Sequence, residues 1–291
     1  MKAQSMALLE LDHVIKDYVR GGLLSRQRIR AVDDVSFRLE SGQPEIFAII
    51  GESGSGKSTL ASMILNLVQP SMGQLRFAGT DLADIRGKSE RLKFMAQVQP
   101  IFQNPFEAFN PLRQLDHYLF MTARRFTTAK DDTAAMRYAD EALVKVGLSL
   151  AEVRGRFPHE LSGGQLQRIA VARALIPSPK LIIADEPVSM VDASLRMSIV
   201  NLFKTLRDEL GISIIYITHD LATAYYISDR IIIMQRGKVV EAGDAKTVLA
   251  SPQHPYSRQL KSAVLLPDTT SNAVTSLQPT HQTTPRETSH V

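Results

Sequence analysis

The sequence predicts an α/β fold with a largely parallel sheet, an antiparallel β part near its start and a helical insert in its middle. Three observations carry this expectation. Short apolar runs, IFAII at 46–50, LIIA at 181–184 and IIYI at 214–217, alternate with amphipathic segments, as buried parallel strands and their crossover helices do. Residues 7–18 and 31–40 instead alternate apolar and polar side chains, the pattern of half-buried antiparallel strands. Residues from about 104 to 167 combine Pro-containing turns with helical stretches.

Taken in order, ALLELDHVIKDY (7–18) and AVDDVSFRLE (31–40) read as strands. Between them VRGGLLSRQRIR (19–30), with its Gly pair and four arginines, reads as an exposed loop. EIFAII is a buried strand running straight into GESGSGKST (51–59), and LASMILNLV (60–68) is the helix behind it. DDTAAMRYADEALVKVGL (131–148) is a helix of the insert. From about 168 the order is helix (QRIAVARAL), strand (KLIIAD), helix (LRMSIVNLFKTLRDEL, with Gly211 as its cap) and strand (ISIIYITHD). RIIIMQRGKVVEAG (230–243) reads as a hairpin turning at Arg236-Gly237-Lys238. Residues 268–291, rich in Thr, Ser, Gln and Pro, are expected to be disordered.

Composition narrows the chemistry. No apolar run approaches the roughly 18 residues of a membrane-spanning helix. The opening MKAQSMALLELDH has acidic residues in place of an apolar signal core, so a cytoplasmic protein is expected unless a partner holds it at a membrane. With no cysteine, disulfides, thiolate metal sites and thiol catalysis are excluded together, and the seven histidines show no zinc-ligand spacing. A net charge of +4 fits a solvated surface better than a nucleic-acid interface.

Gly51, Gly56, Lys57 and Ser58 fit G-x-x-x-x-G-K-[ST] between a buried strand and a helix. Glycines let backbone N–H groups curl toward a β-phosphate, Lys57 neutralises phosphate charge, and the Ser58 hydroxyl suits Mg²⁺. Two carboxylates, Asp185 and Glu186, end the apolar run LIIADE. Asp185 is placed to bind Mg²⁺ through water, and Glu186 to polarise an attacking water as general base.

With these residues in hand, the chain resembles the ATP-binding subunit of an ATP-binding cassette (ABC) transporter over about residues 7–267. The turn LSGGQ (Leu161, Ser162, Gly163, Gly164, Gln165) lies between the phosphate loop and the acidic strand, as in that family. Gln103 in IFQNP matches the family's Q-loop, Ser189 to Asp192 its D-loop, His219 in YITHD its switch histidine, and Tyr18 its adenine-stacking aromatic. The loop GGLLSRQRIRAVDDVSF, the segment FQNPFEAFNP and the extension SPQHPYSRQLKSAV resemble the oligopeptide, dipeptide and nickel importer subfamily. Three departures stand out: Gln43-Pro44 ahead of the phosphate-loop strand, Met190-Val191 in the D-loop, and FEAFNP itself.

The resemblance implies a P-loop NTPase cassette over 1–267, with a helical subdomain at about 104–167 and a C-terminal extension at about 251–267. ATP and Mg²⁺ are the implied cofactors. Tyr18, Gly51, Glu52, Ser53, Gly54, Ser55, Gly56, Lys57, Ser58, Thr59 and Gln103 would bind the chain's own ATP, and Ser58, Gln103 and Asp185 its Mg²⁺. Leu161 to Gln165 and Asp192 would contact ATP held by a second cassette, identical or related, in a head-to-tail pair, with Gln167 and Arg168 starting the helix that aims the turn. Glu186 and His219 would be catalytic. Two transmembrane permease subunits and, indirectly, an external solute-binding protein complete the implied assembly on the cytoplasmic face of the inner membrane, with peptides as the first expected cargo. The competing expectation is a soluble ABC ATPase acting on DNA or ribosomes; one cassette, no cysteine and no long heptad segment weigh against it.

Overall fold

The computed structural model describes residues 6–20, 27–106 and 108–265, so the tail at 268–291 lies outside the described residues. The chain begins with an antiparallel pair, β1 (Ala7–Arg20) and β2 (Gln27–Glu40). Next come β3 (Ile46–Ile50), α1 (Lys57–Ile64), β4 (Met72–Phe77), β5 (Thr80–Asp81), α2 (Lys88–Gln97) and β6 (Val98–Ile101). The helices α3 (Leu115–Phe126), α4 (Asp132–Val144) and α5 (Leu150–Val153) follow, then α6 (Gly163–Leu175) and β7 (Leu181–Asp185). The last part holds α7 (Ala193–Asp208), β8 (Ser213–Thr218), α8 (Leu221–Ile227), the hairpin β9 (Arg230–Gln235) and β10 (Lys238–Asp244), α9 (Ala245–Ala250) and α10 (Pro255–Leu265).

Two sheets result. One has the order β2-β1-β4-β5 and is antiparallel; the other has the order β10-β9-β3-β8-β7-β6, parallel except for β10. The apolar runs read as strands become the middle of the parallel sheet, every residue of β3 and β8 being buried. Their side chains alternate between opposite faces as strand geometry requires. Ile214 and Tyr216 join a core with α3, α4, α6 and α7, whereas Ile215 and Ile217 join one with α1 and the antiparallel sheet. Burial on both faces explains why these runs are continuously apolar.

The strands of the first hairpin are longer than the sequence pattern suggests. Within the stretch read as an exposed loop at 19–30, the described residues 19–20 and 27–30 are ladder: Tyr18 pairs with Ile29, Val19 with Arg28 and Arg20 with Gln27. The arginines mistaken for loop residues are cross-strand partners, because Asp17, only 4% exposed, accepts from Arg28 and from Arg30 Nε at 3.0 Å. Helix α1 starts at Lys57 and ends at Ile64, so it begins three residues and ends four residues earlier than the periodicity at 60–68 implies, with Gly56 at its N-cap. Helix α6 likewise starts earlier than expected. Gln167 and Arg168 lie inside it: Gln167 is fully buried, and Arg168 reaches the Val146 carbonyl and the Ser198 hydroxyl. Gln43-Pro44 occupies irregular backbone after Gly42, and the strand it feeds is fixed where Ile46 N–H donates to Asp229 Oδ2 at 2.8 Å.

Other boundaries match their chemistry. Asp131 caps α4 by accepting from Ala134 N–H at 2.8 Å, and Gly211 turns the chain after α7 with a φ of 67°. The hairpin turns at Arg236-Gly237, both with positive φ as a type I′ turn requires. The FEAFNPLRQLDHYLF segment divides in two: Phe109, Leu115 and Leu119 are core, whereas Phe106 and Leu112 are exposed.

Phe203 ties helix to sheet, its ring fully buried and edge-on to Tyr216 at 5.9 Å between centroids. Phe203→Ala should lower the unfolding free energy by about 3–5 kcal/mol, measured by denaturant titration, because the rigid sheet cannot close over the lost ring.

Candidate nucleotide site

Residues 51–59 leave the carboxyl end of β3 and turn into α1, the position at which open parallel sheets bind ligands. A Cβ at Gly51 would lie 2.2 Å from the Met234 carbonyl oxygen, and one at Gly56 (φ 107°) would lie 2.3 Å from that of Ala31. Gly54, at φ 80°, faces open space. The loop is therefore pressed onto β9 and β2 on one side and open on the other, the shape of a backbone cradle. Gly237 locks it from behind: its N–H donates to the Ser55 carbonyl at 3.0 Å, and its carbonyl accepts from Asp33 N–H at 2.9 Å. Reasoning from sequence identified Gly237 only as a turn residue and missed Ala31 and Met234 as the floor, because such supports have no local motif.

Lys57 is 6% exposed, and its Nζ donates to the carbonyls of Gly51 and Glu52, both at 2.8 Å. Burial pushes its pKa down, opposed by the charges of Glu186, Asp185 and Glu52. A buried cation held by neutral carbonyls is one that a polyanion would stabilise. Asp185, at the end of β7, is bonded by the Ser58 side chain; burial nevertheless pushes its carboxyl pKa up.

Glu186 joins three elements. Its backbone takes a φ of 46°, a costly conformation for a side chain of this kind, while its N–H donates to the Ile217 carbonyl at 2.8 Å. One carboxylate oxygen accepts from Gln103 Nε2 at 3.1 Å, and the other lies 3.1 Å from His219 Nδ1. Gln103 follows β6, and His219 follows β8, ahead of Asp220, which caps α8 by accepting from Ala222 N–H at 2.9 Å. The imidazole itself is 64% exposed and the carboxylate 21%. Ser58, Asp185 and the Gln103 amide oxygen are hard oxygen donors of the type magnesium selects. Among the described residues no group of three His, Cys, Asp or Glu is placed to hold a metal ion.

Tyr18 sits on β1, 40% exposed, with Lys16 Nζ 5.2 Å from its ring centroid. Its hairpin is the one whose Ala31 abuts Gly56 and Gly237. The second glycine-containing turn stands apart from this group. Ser162 caps α6 by accepting from Gln165 N–H at 3.3 Å, while Gln165 Oε1 accepts from Ser162 N–H at 3.1 Å, a reciprocal box that leaves both side chains exposed. A Cβ at Gly163 would lie 3.4 Å from the Met190 carbonyl, and one at Gly164 3.0 Å from Leu195 Cδ1. The turn thus packs beside the 189–192 loop and Asp192, the N-cap position of α7. Among the described residues no hydrogen bond or ion pair links it to residues 51–59.

The two crowded and open glycines make distinct demands. Gly51→Ala forces backbone apart and should lower the melting temperature by more than Gly54→Ala, whose cost is a positive φ of roughly 1–2 kcal/mol. Thermal unfolding of the two variants measures the difference.

The family model described as ABC transporter matches residues 32–189. The oligopeptide transport ATP-binding protein OppF of Bacillus subtilis is 40% identical over 261 residues, 90% of this chain and 83% of the relative. The dipeptide transport ATP-binding protein DppF of Haemophilus influenzae is 38% identical, over 84% of this chain and 74% of that protein. Among solved structures, a dimeric post-hydrolysis state of the ATP-binding cassette MJ0796 with ADP and Pi superposes with a TM-score of 0.70. It is 28% identical and covers 82% of this chain and 99% of that one. The chain belongs to the ABC transporter family, as one of its nucleotide-binding ATPase cassettes.

Proposed function

We propose that this chain powers the uptake of peptides across the cytoplasmic membrane, hydrolysing ATP as one half of a cassette pair. The observation that carries the catalytic part is the Glu186 carboxylate, held between Gln103 and His219 at 3.1 Å on either side, next to buried Lys57 and half-buried Asp185.

In this reading the loop N–H groups and Lys57 hold the β- and γ-phosphates of ATP, and Tyr18 stacks on its base. Ser58 and Gln103 would hold Mg²⁺ directly and Asp185 through water; when bound, the ion neutralises charge developing on the phosphate oxygens. Glu186 takes the proton of the attacking water, and His219 orients that water and the γ-phosphate. Gln103, bonded to Glu186, directly follows Phe102, which with Leu67, Phe94, Met95 and Phe126 lines a cleft of about 430 Å³. That apolar cleft, beside the helical insert, is the proposed seat of a cytoplasmic helix from a permease subunit.

The exposed turn Leu161–Gln165 and Asp192 would complete the site of a second cassette, a reading supported by their separation from this chain's own loop and by the dimeric form of the solved cassette. Peptide cargo, and an external binding protein that delivers it, are proposed from the names of OppF and DppF, which also favour transport over action on DNA or ribosomes. Among the described residues no helix is long and apolar enough to cross a membrane, so permease contacts would hold the chain at the cytoplasmic face.

Glu186→Gln keeps the shape and one acceptor oxygen but removes the base. In the assembled transporter it should bind ATP within about threefold of wild type and hydrolyse it roughly 100-fold more slowly. Near-normal steady-state phosphate release would remove Glu186 from this role.

A further inference from the structure

The extension SPQHPYSRQLKSAV, a subfamily marker in the sequence with no assigned task, reaches the nucleotide site. Helix α10 packs on α8 and β10. Glu241 of β10 fastens its approach, accepting from the N–H groups of Gln253 at 2.8 Å and His254 at 3.1 Å. Tyr256 is then 7% exposed, in one apolar cluster with Ile50, the last residue before the phosphate loop, and Leu221, two residues after His219. Its hydroxyl oxygen accepts from the backbone N–H of Glu52 at 2.8 Å.

That bond holds one end of a rigid unit. The N–H of Glu52 and the carbonyl of Gly51 belong to the same planar trans peptide and point in opposite directions. With the N–H fixed on Tyr256, the carbonyl is fixed on Lys57 Nζ at 2.8 Å. The Glu52 carbonyl, on the next peptide, takes the second Lys57 bond at 2.8 Å and also accepts from Ser55 N–H at 3.2 Å. The ammonium of Lys57 is therefore aimed by two carbonyls, one of which is set by the tyrosine hydroxyl.

We propose that Tyr256 is a positioning residue for ATP: through the 51–52 peptide plane it fixes the phosphate loop and Lys57, so that the C-terminal extension forms part of the nucleotide site. The proposal rests on the assignment of residues 51–59 as the loop that binds ATP phosphates. It predicts a specific split in kinetics. Tyr256→Phe retains the buried ring and removes only the acceptor, so KM for Mg-ATP in the assembled transporter should rise roughly threefold to tenfold, the loss of one hydrogen bond, while kcat stays within about twofold. In the full-length chain, the melting-temperature increase produced by saturating Mg-ADP should shrink in parallel. A merely structural tyrosine would lower the melting temperature equally with and without Mg-ADP and leave KM unchanged, and that result overturns the proposal. If the wild-type chain shows no Mg-ADP shift and no ATP hydrolysis, the ATP-site assignment itself falls, an outcome distinct from a wild-type response that Tyr256→Phe leaves intact.

Discussion

The register of three parallel strands is the constraint on which the site depends. Ile50 of β3 lies opposite Thr218 of β8, and Asp185 of β7 opposite Ile217 of the same strand. The loop after β3, the acidic pair at the end of β7 and the histidine after β8 consequently leave the sheet at one edge and within reach of one another. A slip of one residue would turn the alternating Ile side chains of β8 into the wrong core and carry His219 away from Glu186. The apolar burial that stabilises the sheet and the geometry of the site are thus the same interaction seen from two ends.

Charge is handled at that edge by concentrating it where water is scarce. Lys57 and Asp185 both sit where burial penalises their ionised forms, the lysine held by carbonyls and the carboxylate by a serine hydroxyl. A phosphate chain and its metal ion would relieve both penalties at once, so binding energy is directed to the reacting end of the nucleotide. The left-handed backbone of Glu186 fits the same logic. It turns the carboxylate out of the strand line toward Gln103 and His219, at a local cost that the surrounding sheet sustains.

Much of this was legible in the sequence because the informative features are local. IFAII followed by GESGSGKST, LIIADE and YITHD are short strings in which an apolar strand hands over directly to polar chemistry. Features that depend on distant partners were not legible. The arginines at 28 and 30 looked like loop residues because nothing nearby announces that Asp17 faces them across a ladder. The early start of α6 was hidden because the capping pair Ser162 and Gln165 sits inside a turn read for its glycines. Gly237 and Tyr256 touch the phosphate loop from 182 and 204 residues away, and no spacing rule connects them to it.

What remains distinctive is that the two glycine-containing turns do not meet within one chain. The reading in which each ATP lies between residues 51–59 of one cassette and 161–165 of another can be tested directly, because the chain has no cysteine of its own. Ser53→Cys and Ser162→Cys are introduced together, with the matching pair in the second cassette if that is a different chain, and the assembled transporter is oxidised with and without ATP. The account predicts a disulfide between cassettes that forms with ATP and not without it. Full ATP hydrolysis with no such cross-link under any condition would contradict it.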